Sequence, residues 1–385
     1  MPLLTRFVST RPPYEMSQSH SLEWLARAHA GSEAAIEGLD DAFREAFGLK
    51  LARLIRRVGC SPESIARRAS VLPDFTTCES DGGVPNALYD DPRTEGGHGE
   101  HPHGRSAGTR NQLFAHAVDA YFAHDYAGIR DAPDDLIHVT CTGYVSPSGA
   151  QKMVAARGWG GRTRVTHAYH MGCYAALPAV RIAAGFVASG SEQVDIVHTE
   201  LCSLHLDPSD HRLEQLVVQS LFADGLIRYS MTAQDDGPGL SPLSACEIVL
   251  PDSADAMRWV SSEWGMQMTL ARDVPERIAG ELRGFVLELY RRAGLELDAM
   301  KHSVFAVHPG GPRIIDRVRE VLELDPAQVQ TSRDVLLDHG NMSSATLPHV
   351  WMRLLADPRV PRGTLIPSLA FGPGLTVAGT LLEKR

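Results

Sequence analysis

The spacing of apolar residues predicts a helix-rich segment over residues 19–70. Residues 19–70 carry apolar side chains at helical intervals, first over 22–28 and again over 51–55. Residues 76–110 break this pattern because they are rich in Gly, Asp, Pro and His, and they predict a long loop. A further helix is predicted from about residue 111 to 122, where apolar residues resume.

Short runs in the following part of the chain predict strands, of which the first is expected to be buried. They cover 135–141, 164–169 and 194–199, and the second of them runs into Gly172 and Cys173. A helical pattern begins a few residues later. Cys173 is therefore predicted to lie on a strand-to-helix turn, where the first amide N–H groups and the dipole of the helix favour a thiolate.

Residues 234–243 are rich in Asp, Gly and Pro and predict a linker. Strands and helices alternate again beyond it. Strands are predicted at 245–250 and 303–307, and helices at 274–293, 312–322 and 344–356. This alternation predicts an α/β fold built from two similar halves, residues 1–233 and 234–385, with a site where the halves meet.

Composition and charge narrow the class of protein. The 385 residues include 43% hydrophobic and 22% charged side chains, which is typical of a globular protein with a large core. A formal net charge of −10 argues against nucleic acid or an anionic membrane as the main partner. No apolar signal core or bilayer-length apolar run is visible, and the scattered cysteines form no CxxC pair. We expect a cytoplasmic protein with free thiols.

A Cys, a His and an Asn stand beside small residues in three separate segments. Cys173 precedes Tyr-Ala-Ala, His308 begins His-Pro-Gly-Gly, and Asn341 lies in Gly-Asn-Met-Ser-Ser-Ala. Each has an ordinary explanation when taken alone, because a lone Cys is usually a small buried residue and Asn beside Gly often caps a helix or forms a turn. Together they predict a thiolate acyl-transfer site, which needs a base for the thiol and donors for an oxyanion.

These segments resemble the signature series of type III polyketide synthases, the chalcone-synthase-like enzymes. The similar segments are Gly-Cys-Tyr-Ala at 172–175, Leu-Phe-Ala-Asp-Gly at 221–225, His-Pro-Gly-Gly at 308–311, Gly-Asn-Met-Ser-Ser-Ala at 340–345 and Phe-Gly-Pro-Gly-Leu at 371–375. Their order is kept over residues 135–385, and the similarity is loose before that. The resemblance implies a thiolase-like αβαβα layered fold, a homodimer, and CoA or phosphopantetheine thioesters as substrates, with no cofactor and no metal.

The resemblance also implies roles for individual residues. Cys173 would be the nucleophile that takes an acyl group from a thioester. His308 would pair with the thiolate, and His308 and Asn341 would stabilise an oxyanion or enolate. Phe222 resembles a gatekeeper between an entry tunnel and the cavity, although a core aromatic is an equal alternative. Phe371 is assigned to the substrate pocket by the same resemblance.

Two departures from plant members bear on the substrate. Met268 lies where those members usually carry a second gatekeeper Phe. Because Met is flexible, this predicts a wider pocket for a long acyl chain, and the alternative is an ordinary core Met. The second departure concerns an early helix, on which plant members carry basic residues that hold the phosphates of CoA. Here the aligned positions are occupied by Ile55, Val58 and Pro62, which are not basic.

The neighbourhood of those positions is nevertheless basic. Arg53, Arg56 and Arg57 fit a shifted phosphate clamp, a docking patch for an acidic acyl carrier protein, or a solvated helix face. In the 76–110 loop, His98, His101 and His103 have a spacing that could hold a metal ion. A Gly-rich loop gives no rigid support to such ligands, so we expect no metal.

We therefore expect a ketosynthase that joins acyl or β-ketoacyl thioesters by Claisen condensation and cyclises the product to an α-pyrone, as myxobacterial pyrone ketosynthases do. One alternative is an iterative alkylpyrone or alkylresorcinol synthase that uses long-chain acyl-CoA and malonyl-CoA. A papain-like cysteine hydrolase also uses Cys, His and Asn in this chain order. A degenerate acyl-binding partner subunit is the non-enzymatic alternative.

Overall fold

The computed structural model describes residues 2–75, 88–89, 101–233 and 237–385. The strands are β1 (Leu3–Thr10), β2 (Tyr14–Ser17), β3 (Arg67–Ser70), β4 (Asp135–Thr140), β5 (Arg164–Tyr169), β6 (Gln193–Leu201), β7 (Asp224–Thr232), β8 (Leu240–Val249), β9 (Met257–Ser261), β10 (Met266–Leu270), β11 (Ala306–Val307), β12 (Leu365–Gly372) and β13 (Thr376–Lys384). The helices are α1 (Gln18–Glu37), α2 (Asp41–Val58), α3 (Ala107–Asp125), α4 (Gly149–Ala156), α5 (Ala176–Ala188), α6 (Leu213–Leu221), α7 (Val274–Arg292), α8 (Pro312–Leu322), α9 (Gln330–His339) and α10 (Thr346–Ala356).

A nine-stranded mixed sheet runs through the molecule in the order β11-β12-β13-β8-β1-β7-β6-β4-β5. One half of the sheet consists of strands from the first part of the chain, in the order β1-β7-β6-β4-β5. The other half consists of strands from the second part, in the order β11-β12-β13-β8. The halves join where Leu4 of β1 pairs with Leu240 of β8. The domain boundary between residues 233 and 234 stays a prediction, although it falls between these two sets of strands.

Two helices lie between the halves of the sheet. Helix α5 contacts β4, β6 and β7 of one half and β13 of the other, while α10 contacts β7 and β11. Their apolar side chains, such as Val180 on α5 and Trp351 on α10, belong to one continuous core. Helices α1 to α4 cover the first half of the sheet, and α7 to α9 cover the second. The result is the helix–sheet–helix–sheet–helix layering that the resemblance implied.

Several elements agree closely with the apolar pattern. The predicted strand at 164–169 and the predicted helix at 312–322 have the bounds of β5 and α8. The helix predicted at 111–122 is longer, because Ser106 caps it by accepting a hydrogen bond from Thr109 N, so that α3 begins earlier. The strand predicted at 303–307 is confined to β11.

The predicted linker at 234–243 is wrong over its second part. Residues 234–236 lie outside the described residues, but β8 already begins at Leu240 and pairs with β13. Pro242 is tolerated because the register of the two strands shifts between Leu381 and Leu382, opposite it. In the predicted 76–110 loop, residues 101–106 form neither helix nor strand, and α3 begins at Ala107.

Candidate active site

The nucleophile segment is a tight turn between β5 and α5. A short 3-10 turn, Gly172–Tyr174, connects the two elements and holds Cys173, whose side chain is buried. Gly172 has a φ of +74°, and a Cβ built on it would stand 2.8 Å from Cδ of Pro373. Only glycine meets both conditions without strain. The loop after β12 therefore packs directly on the turn that carries the thiol.

Cys173 lines a cleft that encloses about 650 Å³ when the open space at its mouth is included. Most of the exposed lining is apolar. Its lining residues come from several elements, among them Cys141, Phe222, Trp259, Met268 and Ser343. The apolar lining, rather than the volume, suits an acyl chain.

Asn341 and His308 come from the second half of the fold. The backbone of Asn341 is fixed by hydrogen bonds to Leu221 O and from Ala223 N, each at 2.9 Å. Its Oδ1 accepts from Ser343 N at 2.9 Å, and its Nδ2 lies 3.4 Å from the carbonyl oxygen of Gly310. His308 stands two residues before Gly310 in the same loop, immediately after β11.

The side chains of Asn341 and Ser343 also lie beside the Cys173 thiol, where both lower its pKa. The structure thus links Cys173 to Asn341 directly, and Asn341 to the His308 loop through Gly310. His308 is 2% exposed, and neither of its ring nitrogens has a hydrogen-bond partner among the described residues. A buried, unpaired imidazole is unusual, because the lost hydrogen bonds cost free energy unless a ligand or a reaction step supplies them.

Burial is the main cause of the pKa shifts of the Cys173 thiol and the His308 imidazole. It raises the pKa of Cys173 to about 12 and lowers the pKa of His308 to about 3. The direction for Cys173 is opposite to that expected from the turn alone, because desolvation of the thiolate outweighs the donors beside it. Both groups are therefore neutral at rest, and no hydrogen bond joins the His308 ring to the Cys173 thiol among the described residues.

Comparison with known proteins identifies the family. Residues 243–384 match the family described as chalcone and stilbene synthases, C-terminal domain. The chain is 31% identical to the 1,3,6,8-tetrahydroxynaphthalene synthase of Streptomyces coelicolor over 252 residues, which are 64% of this chain and 66% of that enzyme. It is 30% identical to "Probable polyketide synthase 1" of Dictyostelium discoideum over 267 residues, 68% of this chain and 8% of that protein.

The fold agrees with these matches. The C-terminal type III polyketide synthase domain of "Steely1", a type I/III hybrid from Dictyostelium, superposes with a TM-score of 0.80 at 24% identity, over 99% of each chain. The chain is thus similar to type III polyketide synthases over about two thirds of its length, and its C-terminal part matches their C-terminal domain. Members of this family are ketosynthases. The predicted thiolase-like fold is confirmed, and a papain-like hydrolase is wrong.

The chain matches only part of the length of these relatives. The aligned region is 8% of the Dictyostelium protein and 66% of the Streptomyces enzyme. The activities of those whole proteins therefore do not pass directly to this chain.

A buried carboxylate that the sequence analysis missed stands behind the nucleophile. Glu200 accepts hydrogen bonds from Cys141 N at 3.0 Å, from Thr142 Oγ1 at 3.2 Å and from the Ser344 hydroxyl. Burial raises its pKa to about 6. Glu200 thus ties the end of β6 to the end of β4 and to the Asn341 loop. The available signal was a charged residue at the end of a strongly apolar predicted strand.

The pocket wall differs in part from the expectation. Met268 and Phe222 line the cleft, as predicted for the two gatekeeper positions. Trp259 also lines it, pairs with Met268 across β9 and β10, and donates from Nε1 to Cys141 O at 2.6 Å. Phe371 does not line the cleft, because its ring packs in the core beneath β12 and the nearby Pro373 faces the cleft instead.

The predicted docking residues lie outside the cleft lining, whereas His103 contacts Asp207 of that lining. Arg53, Arg56 and Arg57 are exposed on α2, and none of them lines the cleft. His98 falls outside the described residues. His103 lies 2.7 Å from Ser209 Oγ and stacks on Trp264. Within the described part of the chain, no group of His, Cys, Asp or Glu is arranged to hold a metal ion, and no helix is long and apolar enough to cross a membrane.

We expect alkylation of Cys173 by iodoacetamide to keep accelerating at alkaline pH. A raised thiol pKa leaves little thiolate at neutral pH, so the rate should rise about tenfold per pH unit to beyond about pH 9, whereas an ordinary thiol levels off near its pKa of about 8.5. Peptide mass spectrometry measures modification at residue 173, with Cys173→Ala as the control. A rate that levels off below about pH 8 would contradict a neutral resting pair.

We expect Gly172→Ala to displace the nucleophile turn. The positive φ and the contact with Pro373 should together lower the free energy of unfolding by about 1–3 kcal/mol and abolish acylation of Cys173. Gly190→Ala is the matched control, because Gly190 has a φ of +106° but nothing within 4 Å of its added Cβ. Equal acylation rates in the two variants, measured by intact mass, would refute the role of the Pro373 contact.

Proposed function

We propose that this chain is a ketosynthase that forms carbon–carbon bonds between acyl thioesters and releases an α-pyrone. The single observation that carries the proposal is the arrangement of Cys173, beside Asn341 in an apolar cleft, with the unpartnered His308 imidazole in the neighbouring loop. An unpaired imidazole can take the thiol proton as the sulfur attacks, and the Asn341 amide is a donor that needs no proton of its own. We propose a homodimer as the acting form, as is usual in this family.

The reaction follows from these groups. The Cys173 sulfur attacks the thioester carbonyl, its proton passes to His308, and the carrier leaves as a thiol, so that the acyl group is held as a thioester on Cys173. After His308 returns its proton to the departing thiol, a second thioester supplies the carbon nucleophile, either by losing CO₂ from a malonyl group or by losing a proton from a β-ketoacyl group to the neutral His308 imidazole. His308 and Asn341 stabilise the enolate oxygen of this second substrate. The enolate carbon attacks the acyl carbonyl, and Cys173 is released as the leaving thiolate.

The cleft supports acyl chains better than bulky aromatic starters. Met268 stands at the second gatekeeper position, and the cleft surface around it is largely apolar. Because methionine adapts its shape, it accommodates a flexible alkyl chain. The iterative alkylpyrone or alkylresorcinol synthase remains the second candidate, since the same apolar lining would hold a long acyl-CoA.

We expect intact mass spectrometry to detect an acyl adduct on the protein after mixing with a medium-chain acyl thioester. Cys173→Ala should abolish the adduct, while Asn341→Ala and His308→Ala should lower product formation by about 10²–10³-fold, because each removes a donor to developing charge. Cys246→Ala, a change of the same type outside the cleft, is the control. No adduct with any CoA or carrier-bound thioester would refute the enzyme proposal and favour a degenerate subunit.

The identity of the second substrate separates the two candidates. Product mass spectrometry with β-ketoacyl thioesters alone should give a pyrone if two preformed chains are joined. A strict requirement for malonyl-CoA would refute that version and favour the iterative synthase.

We expect Trp259→Ala to shift the preference toward longer acyl chains. The indole lies beside Met268 in the same cleft wall, so its removal adds space at that wall and also breaks the hydrogen bond to Cys141 O. The ratio of kcat/KM for long over short acyl thioesters should rise about tenfold or more. Met268→Phe should change the ratio in the opposite direction. An unchanged ratio in both variants would contradict the assignment of this wall.

A further inference from the structure

Helix α2 presents one continuous line of solvent-facing residues that mixes apolar and basic side chains. The line consists of Phe43, Ala46, Lys50, Arg53 and Arg57, which are all exposed. Their spacing of three or four residues places them on one side of the helix, opposite the buried residues Leu51 and Ile55. We call this line the α2 stripe. It extends over about 21 Å at the rise of 1.5 Å per residue of an α-helix.

The cations of the α2 stripe are free to meet a partner. Lys50, Arg53 and Arg57 have no hydrogen-bond or ion-pair partner among the described residues. Arg56 is different, because it already has an ion-pair partner, Glu23, at 3.4 Å. Three unpaired cations in a row are unusual on a chain whose formal net charge is −10. Such a concentration attracts an acidic partner and raises its association rate.

The helix that carries the stripe packs against the wall of the cleft, while the stripe itself faces solvent. Helix α2 packs against α6, and Gln215, Val218 and Gln219 of α6 line the cleft that contains Cys173. The ionic side chains that line the cleft in the described part of the chain are both acidic, Asp207 and Asp210. Positive charge for an anionic substrate carrier must therefore come from outside the cleft lining, and α2 supplies it.

Two features favour a protein over the phosphates of free CoA. The positions where plant members hold CoA are unsuitable here, because Ile55 is fully buried and Val58 is partly buried and uncharged. Phe43, 36% exposed and stacked on Phe47, extends the stripe with apolar surface that a phosphate group cannot use. Protein interfaces combine such an aromatic contact with a charged rim.

We propose that the α2 stripe docks an acidic acyl carrier protein, which delivers its thioester arm to Cys173. This inference rests on the proposed ketosynthase function and names the partner that serves the same site. The stripe contacts the carrier along a helix, with Lys50, Arg53 and Arg57 facing carboxylates and Phe43 facing an apolar side chain.

Binding is tested first, in full-length protein carrying Cys173→Ala so that no chemistry is required. A fluorescently labelled holo acyl carrier protein of bacterial fatty-acid synthesis is the probe, and its anisotropy is followed at low and high salt. We expect Lys50→Glu/Arg53→Glu/Arg57→Glu to weaken binding at least about tenfold, and high salt to weaken binding of the parent. The neutral Lys50→Gln/Arg53→Gln/Arg57→Gln variant should show a smaller loss, and it covers the case in which the reversal variant does not fold.

The matched control reverses three exposed cations elsewhere, as Arg130→Glu/Arg162→Glu/Arg362→Glu. The control changes the net charge by the same amount as the stripe variant. If the affinity for the carrier protein depends on the position of the cations rather than on total charge, the control should alter binding by less than about twofold. Equal loss in the control and the stripe variant, or no binding of the parent, would overturn the proposal.

Delivery is tested next by kcat/KM for one acyl group presented on the carrier protein, on CoA and on N-acetylcysteamine. We expect the stripe variant to lose at least about tenfold on the carrier-bound substrate only. An equal loss on CoA would overturn the proposal in favour of a phosphate clamp. Failure of Cys173 to become acylated would refute the ketosynthase function. The anisotropy measurement would still decide whether the carrier protein binds the stripe, because it requires no chemistry at Cys173.

Discussion

The packing of the loop after β12 against the nucleophile turn is the contact on which the site depends. Gly172 belongs to the first half of the fold and Pro373 to the second, and their approach leaves no room for a Cβ. Because His308 and Asn341 are also in the second half, the same contact sets the position of the thiol relative to both. The joined sheet and the central pair α5 and α10 hold this contact in place. Each half alone would carry only part of the chemistry.

Burial explains why this arrangement is built from neutral groups. An ion pair formed before substrate arrives would have to be stabilised in an apolar cleft, where desolvation costs more than in water. Holding the thiol and imidazole neutral avoids that cost until an oxyanion is also present. The pKa of Glu200, raised to about 6 by burial, fits the same account, because its carboxylate is held by several donors rather than by a cation. The site therefore depends on hydrogen-bond donors in fixed positions.

The sequence predicted the parts of the structure that have a local cause. The apolar run before Gly172 ends in a glycine-dependent turn, so β5 and the turn could be placed from residue types alone. The helix at α8 begins with Gly311 and Pro312 and ends near its last apolar residue, which is a sequence-level boundary. The three candidate catalytic residues were found because each stands beside glycine in a short, unusual segment.

The remaining parts have causes that are distant in the chain. Trp259 lines the cleft only because the β9–β10 hairpin is held against the end of β4, where its indole bonds to Cys141 O. Phe371 was misplaced because alternation along β12 decides which face it occupies, and the neighbouring Pro373 turns toward the cleft. The pKa of Cys173 was expected in the wrong direction because a turn pattern reports the nearby helix but not the depth of burial.

Charge is also divided between the inside and the outside of the site. The cleft lining is largely apolar and its ionic side chains are acidic, whereas α2 carries unpaired cations on its solvent side. A substrate that brought its negative charge into the cleft would meet Asp207 and Asp210, while one that kept its charge at the surface would meet Lys50, Arg53 and Arg57. A long neutral arm can keep the negative charge of a carrier at the surface while the apolar acyl chain enters the cleft. The charge distribution therefore favours substrates whose charged carrier stays outside and whose apolar chain alone reaches Cys173.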